Sequence, residues 1–245
     1  MLTNKLKSKT LKIRAEIASP LKAIQLSDFH FKEAGRLEME VKSYLESNSY
    51  DLLLLTGDYL SSPDKLDDFF QYLGSIDFQA PVIAVPGNHD YKLDIALIAE
   101  RFKARGIIFL ENGNYNFKKA GQSFNLIGVG SPDLGRDKLE EAVNGLEMNG
   151  GYNIILSHTY DIIDKIAEYQ IDLILAGDTH GGQIYLPFIT KFLMKRVLGL
   201  RYLAGRYKIG DTTLYINRGL GTSGLPVRFN CRPELTEIRI IPDLS

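Results

Sequence analysis

Short apolar runs recur along the chain, at residues 23–26, 52–55, 82–85, 154–156 and 173–176, and the residues that follow each are rich in glycine, aspartate, asparagine or serine. Runs this short, closed by turn-forming residues, predict buried strands passing into loops. Residues 107–110 and 124–129 predict two more strands. Between the runs the apolar spacing becomes helical. Leu37, Val41, Tyr44 and Leu45 predict an amphipathic helix over 36–47, and Leu66, Phe69, Phe70 and Leu73 a second over 63–74. Leu93, Ala96, Leu97 and Phe102 mark a third that stops at Gly106, Leu139, Val143 and Leu146 a fourth, and Ile162, Ile163 and Ile166 a fifth. Alternation of strand and helix predicts an α/β fold with a largely parallel core sheet. After residue 180 the pattern changes: 213–217 and 235–240 predict strands with no clear helix between them, which implies a mixed second sheet. Residues 12–17 alternate in the manner of an edge strand leading into the first apolar run.

The 245 residues carry no Gly/Ser/Pro-rich linker, repeat or low-complexity segment, so a single domain over 1–245 is expected. A net charge of −1 gives no electrostatic reason to expect a nucleic-acid partner. Cys231 is the only cysteine, which excludes an internal disulfide and fits a reducing compartment. The first 21 residues are basic but hold no apolar stretch, an argument against a signal or anchor and for a cytoplasmic protein.

One segment stands apart. Residues 181–210 contain no acidic residue and six basic ones, Lys191, Lys195, Arg196, Arg201, Arg206 and Lys208. Bulky apolar residues interleave with them, including Phe188, Phe192 and Tyr202, in an insertion at about 184–207. Two readings stand: a membrane-interface element, giving peripheral contact at the inner membrane face, or a packed loop with a solvated basic face. Stacking of its aromatics on bases is a weaker reading, since the rest of the chain shows no basic excess.

The loops after the five apolar runs carry Asp28, His30, Asp58, Asn88, His89, His158, Asp178 and His180, and these include all four histidines. Each alone has an ordinary explanation: Asp-x-His as a cap, Gly-Asp as a turn, a lone histidine as a hydrogen-bonded core residue. Together they stand at the carboxyl ends of strands, where open α/β sheets bind ligands. Carboxylate, amide oxygen and imidazole form the donor set of a divalent metal pair.

The ordered motifs Asp28-Phe29-His30, Gly57-Asp58, Gly87-Asn88-His89-Asp90, His158 and Gly177-Asp178-Thr179-His180 resemble those of the calcineurin-like metallophosphoesterase superfamily over residues 23–183. The resemblance implies an α/β four-layer αββα sandwich, two mixed sheets flanked by helices, with two divalent ions and a bridging hydroxide at one edge. It implies that Asp28, His30 and His180 hold one ion, Asn88 and His158 the other, and Asp58 both. It makes His89 the general acid, oriented by Asp90. The family's Gly-His-x-His is here Gly177-Asp178-Thr179-His180. A carboxylate at 178 reaches less far than imidazole, so three outcomes stand for the second ion: direct binding after a small backbone shift, binding through a water, or a weak site. The added oxygen donor favours Mn²⁺ over Zn²⁺, with Mg²⁺ and Fe as other candidates. The glycine-rich segment 217–231 is similar to that of a bacterial branch holding the YkuE-like phosphoesterases and a UDP-2,3-diacylglucosamine pyrophosphohydrolase of lipid A synthesis. Its Arg218 and Arg228 are candidate substrate contacts. The expected activity is metal-dependent phosphoester hydrolysis, on an amphiphilic phosphodiester or pyrophosphate such as UDP-2,3-diacylglucosamine. A broad nucleotide phosphodiesterase and a non-catalytic metal-binding scaffold are the alternatives. The oligomeric state is not legible.

Overall fold

The computed structural model describes residues 5–187, 189–197 and 199–243; Phe188 of the basic-apolar segment lies outside them. The first half runs β1 (Lys7–Ala15), β2 (Leu21–Leu26), α1 (Arg36–Ser47), β3 (Leu52–Thr56), α2 (Leu66–Gly74), β4 (Val82–Val85), α3 (Ile95–Lys103) and β5 (Ile108–Phe109). The second half runs β6 (Gly113–Lys119), β7 (Gln122–Gly128), α4 (Leu139–Ala142), β8 (Gly151–Leu156), β9 (Leu173–Ala176), α5 (Ile189–Val197), β10 (Gly205–Ile209), β11 (Thr212–Ile216) and β12 (Glu234–Pro242).

These strands form two six-stranded sheets, ordered β1-β12-β2-β3-β4-β5 and β10-β11-β9-β8-β7-β6. Both are mixed. In the first, only β12 and β2 pair antiparallel; in the second, the outer hairpins β6–β7 and β10–β11 do.

Side chains alternate across a strand, so a strand buried on both faces feeds two cores. Leu52 and Leu54 of β3 point between the sheets, while Leu53 and Leu55 point outward beneath α1 to α3. In β9, Leu173 and Leu175 meet them from the other sheet, and Ile174 and Ala176 face the outer helical turns. The result is helices, sheet, sheet, helices: the expected αββα sandwich, with its middle core sealed between the two sheets.

Details differ from the sequence reading. The edge strand begins at Lys7 and ends at Ala15, because it follows the parallel register of β12. The fourth helix is a single turn, and the fifth is a 3₁₀ helix at Tyr160–Lys165. Strands β6 and β10 were not expected, since they are polar edge strands. Two-residue turns, Ala120-Gly121 and Gly210-Asp211, fold them onto β7 and β11. The basic-apolar insertion holds α5 and β10 rather than one loop.

Candidate metal centre

The carboxyl ends of β2, β3, β4, β8 and β9 converge on one edge of the sandwich. Asp28 and His30 follow β2, Asp58 follows β3, Asn88 to Asp90 follow β4, His158 follows β8, and Asp178 and His180 follow β9. Five of these residues have left-handed backbones: Asp28 (φ 51), His30 (φ 40), Asp58 (φ 57), Asp178 (φ 68) and His180 (φ 50). Such a conformation is uncommon outside glycine and persists where surrounding structure imposes it. Here the loops are stitched together. Asp28 N donates to Gly57 O (3.0 Å), His30 N to Asp58 O (3.0 Å), and Gly177 N to His158 O (2.9 Å). Gly87 permits a close approach, since a Cβ there would collide with the backbone nitrogen and carboxylate of Asp58.

Ligand-bearing atoms meet at short range. His180 Nε2 lies 3.4 Å from Asp28 Oδ1 and 3.2 Å from His30 Nε2. Asp58 Oδ2 lies between the two halves of the cluster, 3.3 Å from His30 Nε2 and 3.4 Å from His158 Nε2. Asp178 Oδ1 is 3.7 Å from His158 Nε2 and 3.4 Å from Asn88 Nδ2. Three triplets keep their donor atoms within 4.8 Å of one another: Asp28/His30/His180, Asp28/Asp58/His158 and His30/Asp58/His89.

The chemistry of this cluster fits divalent cations. His158 Nδ1 is 2.7 Å from Thr56 O. A carbonyl only accepts, so Nδ1 carries the proton and Nε2 presents its lone pair. That Nε2 is buried with no hydrogen-bond partner, and so is Asn88 Oδ1. Buried polar atoms without partners are rare, and a cation is the partner both would accept. Without one, the titrations strain. Burial would lower the His158 pKa, but the carboxylates of Asp58, Asp28 and Asp178 outweigh it and hold the group well above its usual value. Burial pushes Asp178 up to about 7, with Asp28, Asp58 and Asp133 adding to the rise and His158 opposing it. Burial also raises Asp28. His30 falls to about 4 through burial, and His180 to about 3 through burial and the Arg228 guanidinium, so both rings are neutral and able to ligate.

Two residues with expected site roles face into the protein. The Asp90 carboxylate is turned to backbone amides. Buried, it accepts backbone N–H groups from Asp58 (2.9 Å), Tyr59 (3.0 Å) and Gly87 (2.8 Å), which ties the two loops together. His89 instead donates its own backbone N–H to Asp58 Oδ1 (2.9 Å), and its ring Nε2 sits 3.4 Å from Lys92 Nζ. Arg228 is 1 % accessible and packs behind His180. Its Nη2 donates to the carbonyls of Arg218 and Gly221. Both hydrogens of that nitrogen are then used, so its 3.2 Å approach to His180 Nδ1 is electrostatic and leaves the tautomer free. Arg218 is partly exposed, with Nε 3.7 Å from the buried carboxylate of Glu234. One participant escaped the sequence reading. Asp133, in a Pro-Asp turn after β7, accepts from Asn88 Nδ2 at 2.9 Å; no histidine or glycine signature flagged it.

With this geometry in hand, comparison with known proteins is decisive. The calcineurin-like phosphoesterase family matches residues 21–182, well over half of the chain. The chain belongs to that family. It is a phosphoester hydrolase of the metallophosphoesterase kind. Among bacterial relatives, it is 32% identical to the phosphodiesterase YaeI of Escherichia coli (strain K12), over 91% of this chain and 83% of the relative's length. It is 29% identical to the metallophosphoesterase YkoQ of Bacillus subtilis (strain 168), covering 88% of this chain and 82% of that one. The metallophosphoesterase YkuE of the same organism is 30% identical, covering 88% and 77%. A crystal structure with 15% identity and a TM-score of 0.52, covering 82% of this chain and 91% of its own, shares the fold. The family and the clustered donors together support divalent metal binding. No described helix is long and apolar enough to cross a membrane.

Proposed function

We propose that this calcineurin-like phosphoesterase hydrolyses an amphiphilic phosphodiester or pyrophosphate, of which UDP-2,3-diacylglucosamine is the type, with two divalent ions and Mn²⁺ foremost. Asp28, His30 and His180 would hold one ion, Asn88, His158 and Asp178 the other, and Asp58 both. Bound there, the ions supply Lewis-acid polarisation of the phosphoryl oxygens and an activated nucleophile. The remaining work falls to the chain. Thr56 O fixes the tautomer that turns the His158 lone pair inward. Asp58 receives the His89 backbone N–H, which sets the imidazole at the mouth of the cluster. There His89 would protonate the departing oxygen. Asp178 contributes an oxygen where relatives of this family place imidazole, which favours Mn²⁺ over Zn²⁺.

The single observation that carries the reading is the pair of buried, unpartnered ligand atoms, Asn88 Oδ1 and His158 Nε2, in the half of the cluster that holds Asp178. Support for an amphiphile comes from a cleft of about 1000 Å³ that begins at His30. Its lining joins Phe29, Leu37 and Leu220 to Lys32 and Arg232, so an apolar body and an anionic group would both find partners. The test is chelation, reconstitution with each ion, metal analysis, and turnover of UDP-2,3-diacylglucosamine beside bis-p-nitrophenyl phosphate. Uptake of two ions with faster turnover of the lipid-linked substrate supports the reading. Hydrolysis of neither compound with any ion rejects it.

A further inference from the structure

The outer face of α5 is built the wrong way round for a helix that only packs. Ile189, Phe192 and Leu193 stand at i, i+3 and i+4, the spacing that normally turns a stripe into the core. They are 56%, 65% and 48% exposed. The helix uses Thr190 and Met194 against the protein instead. Thr190 is 5% exposed and bonds to Ile184 O at 3.0 Å, and Met194 approaches Gly182. Ile184 (37%), Leu186 (40%) and Leu225 (62%) extend the exposed apolar surface. Leu225 is held to it by Gln183, whose Nε2 donates to Leu225 O at 2.7 Å. Six of the eight large apolar side chains that stand exposed among the described residues therefore belong to two segments stapled together. A clustered patch of this kind marks an interaction surface, whereas single exposed residues do not.

Charge selects the occupant. Residues 181–210 hold no acidic side chain, and Lys195 and Arg196 lie exposed within a turn of the stripe. Arg201 is paired with Asp164 at 2.7 Å, whereas Lys195 and Arg196 stand exposed on the helix. Apolar residues that can enter an acyl boundary, flanked by cations that can meet headgroups, match an anionic lipid surface. We propose that α5 and the 222–229 loop dock the protein on an anionic membrane. The helix packs on the turn that carries His180, because a Cβ on Gly182 would lie 2.7 Å from Thr190 Cγ2. Docking would therefore set the candidate centre beside the lipid surface, which deepens the amphiphilic reading of substrate and rests on it only for purpose.

The experiment is flotation of the full chain with phosphatidylcholine vesicles, with and without phosphatidylglycerol, at low and high salt. Unmodified protein should float with the anionic vesicles at low salt and be released by high salt. A combined Ile189→Ser, Phe192→Ser and Leu193→Ser variant should lose about tenfold or more in partitioning. Its melting temperature and its hydrolysis of bis-p-nitrophenyl phosphate should be unchanged, because these side chains face solvent. Failure of the unmodified protein to float with anionic vesicles overturns the proposal. So does a dimer in solution that the same variant dissociates, since a second copy would then own the face. Flotation is read without turnover, so an inactive protein that floats rejects the substrate and not the docking.

Discussion

At the scale of single residues, Asp178 and His89 carry the sharpest consequences. Asp178 sits among donors that otherwise suit either a hard or a borderline ion, and as a ligand its oxygen would tip that balance. Activity after chelation and reconstitution should therefore be greater with Mn²⁺ than with Zn²⁺. Asp178→His should reverse or level that order, and Asp178→Ala should weaken the second ion by about tenfold or more, read by metal analysis. An unchanged metal order in Asp178→His would remove residue 178 from the ligand set. His89 presents a different case. Its ring lies at right angles to that of His30, with centroids 5.1 Å apart, close enough to be counted as a donor. If it acts as an acid, His89→Ala should keep both ions and lose roughly 10²–10⁴-fold in turnover. The loss should be smaller for p-nitrophenolate, which leaves without a proton. Loss of an ion from His89→Ala would make it a ligand instead.

At the scale of elements, the site is a set of strand ends locked by backbone hydrogen bonds, and Asp90 is the lock between the β3 and β4 loops. Its carboxylate receives three buried N–H groups, two of them from the residues that carry and follow the bridging position. Asp90→Ala would leave those donors without a partner, at a cost of about 1–3 kcal/mol each before relaxation. Urea denaturation should show a loss of roughly 3 kcal/mol or more, with weaker metal binding, while His89→Ala should leave stability near that of the unmodified chain. Equal stability in Asp90→Ala, with turnover alone reduced, would return Asp90 to the orienting role expected from its motif. The contrast explains what the sequence could and could not convey. Donor residues were legible because histidine, aspartate and glycine at apolar strand ends have few other reasons to recur together. The burial of Asp90 and Arg228 was not legible, because motif and charge name a residue type, not the direction of its side chain. Both point into the protein, one to amides and one to carbonyls. Asp133 was invisible because a Pro-Asp turn has many ordinary uses. The stripe on α5 was legible as apolar and basic, but only the buried Thr190 and the half-buried Met194 show which side faces out.

At the scale of the whole molecule, the candidate centre joins the two sheets. Asp28, His30, Asp58 and Asn88 come from the first, and His158, Asp178 and His180 from the second. The α/β class and a mixed second sheet were readable from the alternation of apolar runs and helical spacing, whereas the four layers came with the family resemblance. The strand order was not readable, because β12 crosses back to pair with β1 and β2 by register rather than by any local pattern. Across the seam, His158 Nδ1 donates to Thr56 O at 2.7 Å, Gln25 Nε2 to Ala176 O at 3.0 Å, and Asp178 N to Asp28 Oδ1 at 3.2 Å. These bonds hold Asp28, Asp58 and Asp178 close together, and burial plus mutual repulsion keeps Asp28 and Asp178 above their usual pKa values. Cations bound only by the folded chain remove that repulsion and add linkage stabilisation. An ion at a hundred times its Kd contributes about 2.7 kcal/mol. For a chain of this size, that is a rise in Tm of roughly 5–10 °C. Chelated protein should melt lower by that amount and recover with Mn²⁺. In Asp58→Asn, which lacks the charge shared by both halves, added Mn²⁺ should no longer raise the Tm. Should chelated and Mn²⁺-loaded protein melt together while metal analysis finds the ions bound, the ions are not held by the folded centre alone, because binding restricted to the folded chain must raise the Tm.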